Sequence, residues 1–232
     1  MKNFFKSRSK IFQDLIRNAE IHMESGRSRQ AVEDLTEALE IKPGSIHALH
    51  ARAKAYVKIR KRRRAIADYT KILEAEPKDI HALHARARCY RQKRMYDEAI
   101  ADYDREIELN PKNADAYNSR GFTYAAKNEC ARAIEDFSRA IELEPGRAIA
   151  YYNRGVVYRR MRQYGKAITD HEKYQMLDPR GKYSEKILEF EIMTKVKEAG
   201  QSKCPSCGGE IKASESYCPQ CGFNLKEFFD GE

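Results

Sequence analysis

Residues 116–145 read AYNSRGFTYAAKNECARAIEDFSRAIELEP, and the proline that closes this stretch belongs to a series. Pro43, Pro77, Pro111, Pro145 and Pro179 stand 34 residues apart, and the other two prolines lie inside cysteine pairs near the C-terminus. A fixed period of this size marks a repeat architecture. With the proline at place 32, the repeats begin at Phe12, Ile46, Ile80, Ala114 and Ala148. Place 8 is small throughout (Ala19, Ala53, Ala87, Gly121, Gly155), and place 20 is Ala31, Ala65, Ala99, Ala133 and Ala167. Place 11 holds His22 and then Tyr56, Tyr90, Tyr124 and Tyr158. Large residues at places 4, 11 and 24, with small ones at 8 and 20, predict two amphipathic helices packed closely at small contacts. Each second helix should stop before its proline, which cannot continue it.

In this register residues 10–179 resemble the tetratricopeptide repeat family. The resemblance implies an all-α fold, a right-handed helical solenoid of five helix pairs. Two places depart from the family pattern. Its Trp-type position holds Leu or Tyr, and place 7, often Leu, is Arg52, Arg86, Arg120 and Arg154. Place 23 is Asp in every repeat: Asp34, Asp68, Asp102, Asp136 and Asp170. In an antiparallel pair that turns near place 15, places 7 and 23 lie at one height. They therefore predict an Arg–Asp ladder between the helices, open to sharing with the next repeat, with Asn18 as the exception in the first. Residues 180–203 should supply a capping helix, with Tyr183, Ile187, Ile192 and Val196 at near-helical spacing, and then a short linker from Gly200.

The tail, 204–225, reads Cys204-Pro-Ser-Cys207-Gly, ten residues from Gly208 to Tyr217, and Cys218-Pro-Gln-Cys221-Gly. Two such turns can offer four thiolates to a tetrahedral Zn²⁺. The motif resembles the short zinc-ribbon family, which implies a structural zinc on Cys204, Cys207, Cys218 and Cys221. So short a segment has almost no apolar core, and metal ligation, about 10–16 kcal/mol in zinc-finger peptides, would supply its folding energy. Cys89 and Cys130 stand alone inside repeats and read as packing residues.

In the tetratricopeptide family the concave groove is lined by places 2, 5, 9 and 12 of the first helices. Carried onto this chain, the resemblance points to His47, His50, Lys54, His81, His84 and Arg88 in the middle and Asn118, Phe122 and Tyr152 towards one end. Acidic residues followed by an apolar anchor would suit that face. A carboxylate clamp of the chaperone-binding type is absent, since its places hold His50, Lys54, Ala85, Asp115 and Ser119. His47/His50 and His81/His84 are i, i+3 pairs in successive repeats; a second metal site competes with simple duplication of IHALHARAKAY and IHALHARARCY.

Charge marks a second surface. The chain carries a net +9, and Arg60, Lys61, Arg62, Arg63 and Arg64 crowd the turn of the second repeat. Arg91, Lys93 and Arg94 fall at a similar phase in the third, and Arg159, Arg160 and Arg162 in the fifth. Such an edge can hold phosphates nonspecifically or simply remain solvated. No phosphate-binding glycine loop or nucleophile motif stands apart from the repeat pattern, so no enzyme is expected. No run approaches the length of a membrane span, and the basic N-terminus lacks an apolar signal core. The expectation is therefore a cytoplasmic, non-catalytic scaffold for a protein or peptide partner, with an RNA- or DNA-associated adaptor as the alternative.

Overall fold

A computed structural model describes residues 2–181, 183, 201–203, 209–212, 217 and 219–220. The chain forms two compact units, Met1–Leu143 and Glu144–Glu232. The first contains α1 (Lys2–Glu24), α2 (Ser28–Ile41), α3 (Ile46–Lys58), α4 (Arg62–Ala75), α5 (Ile80–Gln92), α6 (Tyr96–Leu109), α7 (Ala114–Ala126) and α8 (Cys130–Leu143). The second contains α9 (Ala148–Arg160), α10 (Tyr164–Leu177) and two short strands, β1 (Gln201–Lys203) and β2 (Glu210–Lys212). The five expected helix pairs are all present. From α3 onward, every first helix occupies places 1–13 and every second helix places 17–30. Only α1 departs, starting ten residues before place 1 of its repeat.

Local chemistry sets these boundaries. Place 34 supplies N-caps: the side chains of Ser45, Asp79 and Asn113 accept from the amides of Ala48, Ala82 and Asp115. Each satisfies an amide that the helix itself leaves without a partner. At the other end the residue before each proline is pushed to extended backbone, as at Lys42 (φ −135°, ψ 84°) and Glu76 (φ −126°, ψ 80°). Between the helices of each pair, place 15 adopts the left-handed conformation: Gly26, Arg60, Arg94, Asn128 and Arg162 all have φ between 60° and 75°.

Within the first unit each helix packs on the next, so α2, α4 and α6 each lie against the pair that follows, and α5 also meets α7. The small places permit this approach. Ala31, Ala53, Ala65, Ala87 and Ala99 are fully buried, with Leu35, Tyr69, Tyr103 and Phe137 filling place 24 between them. Gly121 shows how tight the contact is, because a Cβ there would sit 3.0 Å from the Phe137 ring and from Asp136 Cβ. In the second unit a Cβ on Gly155 would come within 2.5 Å of the His171 ring. Fully burying aromatic side chains of this kind contributes about 2–3 kcal/mol each, which is where the repeats gain their stability.

Residues 201–203, expected as linker, instead form β1, which pairs antiparallel with β2: Gln201 faces Lys212, Ser202 faces Ile211 and Lys203 faces Glu210. The alternating pattern that a strand requires is too short in this stretch to be seen from sequence. Ile211 is buried. The expected capping helix and the cysteines Cys204, Cys207, Cys218 and Cys221 lie outside the described residues.

Candidate partner-binding face

The arginine column is scaffold. Arg52 Nε and Nη2 donate to Asp68 at 2.9 and 2.8 Å, and Arg86 to Asp102 at 2.8 and 2.7 Å. Arg120–Asp136 and Arg154–Asp170 repeat the same fork. The remaining donor, Nη1, reaches backward to the second helix of the preceding repeat rather than onward to the next. Arg52 meets Thr36 there, Arg86 meets Thr70 and Arg120 meets Asp104. Hydrogen bonding to aspartate holds Arg52, Arg86 and Arg154 above the ordinary guanidinium value. In the first repeat, where Asn18 replaces arginine, His22 takes over: its Nδ1 lies 2.7 Å from Asp34 Oδ2.

The exposed side of the first helices carries most of the residues singled out for the groove, in different states. His50 Nε2 is 2.7 Å from Asp79 Oδ2, so it braces the N-cap of the next repeat. Burial pushes the Asp79 carboxyl up, but hydrogen bonds from His50 and the Ala82 amide outweigh it and leave the group below its usual value. His84 Nδ1 lies 3.0 Å from buried Glu106, which also accepts from Asn113. These two histidines are bound to carboxylates, and the described residues contain no group of three or more His, Cys, Asp or Glu placed to hold a metal. His47 makes a loose 4.0 Å contact to Glu20 on α1, and His81 is exposed. The histidine pairs therefore resolve into braces to neighbouring carboxylates and solvated side chains.

Lys54 and Arg88 do meet. With Met23, Val57, Lys58, Tyr69, Ala85, Cys89 and Gln92 they line a cavity of about 480 Å³. Its walls come from α1, α3 and α5, and Tyr69 of α4 reaches it from below. Neither Lys54 nor Arg88 has a carboxylate within ion-pair distance among the described residues. Beside them Phe122, 45% exposed, carries the Arg91 guanidinium 4.4 Å from its ring centroid. Arg91 thus leaves the basic edge to which sequence phase assigned it. It is half-buried without a carboxylate partner among the described residues, and its Nε has no hydrogen-bond acceptor there. Burial lowers its guanidinium below the ordinary value. Burial pushes the nearby Tyr103 hydroxyl up to about 12. Met23, Val57 and Arg91 share place 12, so the phase that found Lys54 and Arg88 could also have found them. Asn118 is half-buried on α7.

Tyr152 does not fit the expectation. Its ring stacks on Tyr183 at 4.0 Å and 14°, and also meets His171 and Tyr174. Chain that follows the last repeat covers it, so it serves as packing surface. Sequence spacing alone could not show the chain returning, because the return depends on Tyr183 finding that ring. Of the basic-edge residues, Arg60, Lys61, Arg62, Arg63 and Arg64 line one cavity with Gln92 and Lys93. Arg94 lies outside that lining, and Arg160 is exposed at the end of α9 in the second unit.

Helix pairs repeating every 34 residues, locked by buried ion pairs and leaving one helix face open, define a helical repeat array. Models of the tetratricopeptide repeat match residues 17–45, 46–79, 68–101 and 148–180, and models of the TPR repeat match 87–128 and 123–161. Together they run without a gap from 17 to 180, and the chain belongs to the tetratricopeptide repeat family. Solved structures agree on the fold. MamA of Desulfovibrio magneticus is 17% identical with a TM-score of 0.69, covering 74% of this chain and 97% of its own. The pilF protein of Pseudomonas aeruginosa is 19% identical at 0.67, covering 83% and 86%. YrrB, a TPR protein with an unusual peptide-binding site, is 22% identical at 0.60, covering 72% and 86%. No curated protein sequence is similar enough to match. Among the described residues no helix is long and apolar enough to cross a membrane.

Proposed function

We propose that this chain is a non-catalytic protein-interaction scaffold that holds a partner segment against the first helices of repeats one to four. The observation that carries the reading is the uncompensated charge around an apolar cavity. Lys54, Arg88 and Arg91 have no carboxylate partner among the described residues, whereas the arginines of the ladder are all paired. Lys54 and Arg88 are exposed, but Arg91 beside them is half-buried, where a cation without a counter-charge is costly and a ligand carboxylate would relieve it. The cavity lined by Met23, Val57, Ala85 and Tyr69 would take an apolar side chain beside that carboxylate. Exposed Phe122 adds an aromatic contact of the kind that dominates interfaces. The peptide-binding site of the structurally similar YrrB is consistent with such a role.

A displayed library of short peptides, selected on the full chain, tests this. Sequences with Asp or Glu next to a Leu, Ile or Phe should be enriched. Their binding should fall at least about 10-fold, or 1.4 kcal/mol, in Arg91→Ala and in Phe122→Ala. Enrichment without acidic residues, or binding indifferent to both substitutions, would refute the reading.

The four tail cysteines are assigned to a structural zinc in the same proposal. Support comes from the antiparallel pairing of β1 with β2, whose ends Lys203 and Glu210 flank Cys204 and Cys207 in sequence. Four thiolates leave no open coordination position, so the metal would hold the fold together. Metal-thiolate use of these cysteines, with Cys89 buried as a thiol, suits a reducing, cytoplasmic setting. Mass spectrometry of the native protein should find one zinc per chain, lost when Cys204 and Cys207 become Ser.

A further inference from the structure

The turn of the second repeat forms a cavity of about 450 Å³ lined by Arg60, Lys61, Arg62, Arg63, Arg64, Gln92 and Lys93. Six cations and one amide make up this lining, and no carboxylate lies within ion-pair distance of any of them among the described residues. Arg62 Nε is instead held by Gln92 Oε1 at 2.5 Å. The turn of the fourth repeat answers its charge differently, since Lys127 sits 2.7 Å from both Asp97 and Glu129. Neutralisation is therefore available to this frame, and the second repeat does without it.

Backbone conformation at this turn supplies a substitution that tests the site. Arg60 holds φ of 60°, a left-handed value that crowds the Cβ of an L-residue, as do Arg94 and Arg162 outside this lining. Gly26 and Asn128 occupy the equivalent place in other repeats, and these are the residue types that accept it most readily. The protein thus keeps arginine where its own repeats show a less strained choice. The α4 N-terminus opens into the same place: Lys61 is its N-cap and offers no side-chain acceptor to the first amides, which leaves the positive end of the helix uncapped.

We propose that this turn is a binding site for the phosphodiester backbone of a nucleic acid. The ligand must be a polyanion, because a single phosphate cannot use six cations. The lining holds no apolar residue that could enter a bilayer, and no aromatic or apolar pocket that would read a peptide side chain. A shallow, open site of one charge sign fits a solvated backbone whose bound counterions are released on contact. Such binding is nonspecific in sequence and steep in salt. This surface shares Gln92 with the cavity that would take a peptide but none of its cations, so each reading is tested on side chains the other does not use and either can fail alone.

Fluorescence anisotropy of a labelled single-stranded oligonucleotide, titrated with the full chain between about 50 and 200 mM salt, tests the site. Contact with four to six phosphates predicts a log–log salt slope of about −3 to −4. The combined variant Arg62→Gln, Arg63→Gln, Arg64→Gln should lose at least about 10-fold in affinity and flatten the slope by about 2. Arg139→Gln, which removes an exposed arginine paired with Glu142 on α8, should change nothing. Arg60→Gly gives the sharpest reading: melting temperature should rise as the strain is removed, while oligonucleotide affinity falls. Absence of binding at low salt would overturn the proposal. So would a slope unmoved by the triple variant in protein of native helicity, or binding to phosphatidylserine vesicles without binding to the oligonucleotide.

Discussion

Arg86 and Arg88 lie two residues apart on α5 and have opposite surroundings. Arg86 points between the helices, where Asp102 and Thr70 take three of its hydrogen bonds. Arg88 lies on the open face, lining a cavity with Lys54, and Arg91 one turn further on covers Phe122. Two residues on a helix turn the side chain through about 200°, enough to separate scaffold from recognition. The same residue type thus serves rigidity on one face and leaves charge for a partner on the other. Place within the repeat, more than residue identity, assigns the role.

The largest effect should come from breaking the inward face. Asp102→Ala would strand the Arg86 guanidinium in a site where Asp102 itself is buried, and should cost about 3–5 kcal/mol in urea unfolding. A loss near that of an exposed pair, below about 1 kcal/mol, would show that the ladder adds little and weaken the contrast between faces.

A second inward group sharpens the contrast by staying neutral. His171, buried at place 24 of the fifth repeat, is pushed down to about 4 by burial and then by Arg159. Its folded value lies below the ordinary value near 6.5, so the unfolded chain takes up the proton first as pH falls. Stability should therefore be independent of this group above about pH 6.5 and decline towards pH 4 by up to about 3 kcal/mol. His171→Phe, which installs the residue that repeat four uses at the same place, should flatten that decline. An unchanged pH profile would contradict the assignment.

Smaller again is the substitute hydrogen bond of the first repeat. His22→Ala removes the contact to Asp34 and should cost about 1 kcal/mol, well below the ladder value, since a single hydrogen bond is lost from a half-buried site. The smallest effect on stability belongs to the open face. Arg91→Met should leave unfolding within about 0.5 kcal/mol of the parent, or raise it slightly, because a cation without a counter-charge is exchanged for an apolar chain of similar length. Clear destabilisation would move Arg91 to the scaffold class.

Much of this was legible along the chain. The 34-residue proline period places all ten helices, because proline blocks helix continuation at a fixed place and alanine marks the close contacts. The Arg–Asp pairing was equally readable, since a constant offset of 16 residues across one antiparallel turn sets both partners at one height. The direction of the third guanidinium bond was not readable, because it depends on the stagger between neighbouring pairs. Asp79 and Glu106 likewise remove His50 and His84 from any metal site, and neither pairing follows from helical periodicity.

Local rules act within a few residues, so the sequence alone determined which segments are helical, where they turn and which side chains face inward. Tertiary structure decided which of the outward side chains remain available. Tyr152 was spaced as a groove aromatic and became packing surface beneath Tyr183. Arg91 was spaced with a basic edge and settled over Phe122. Both outcomes depend on contacts between segments distant in sequence, where burial and charge compensation are settled by whichever neighbour arrives.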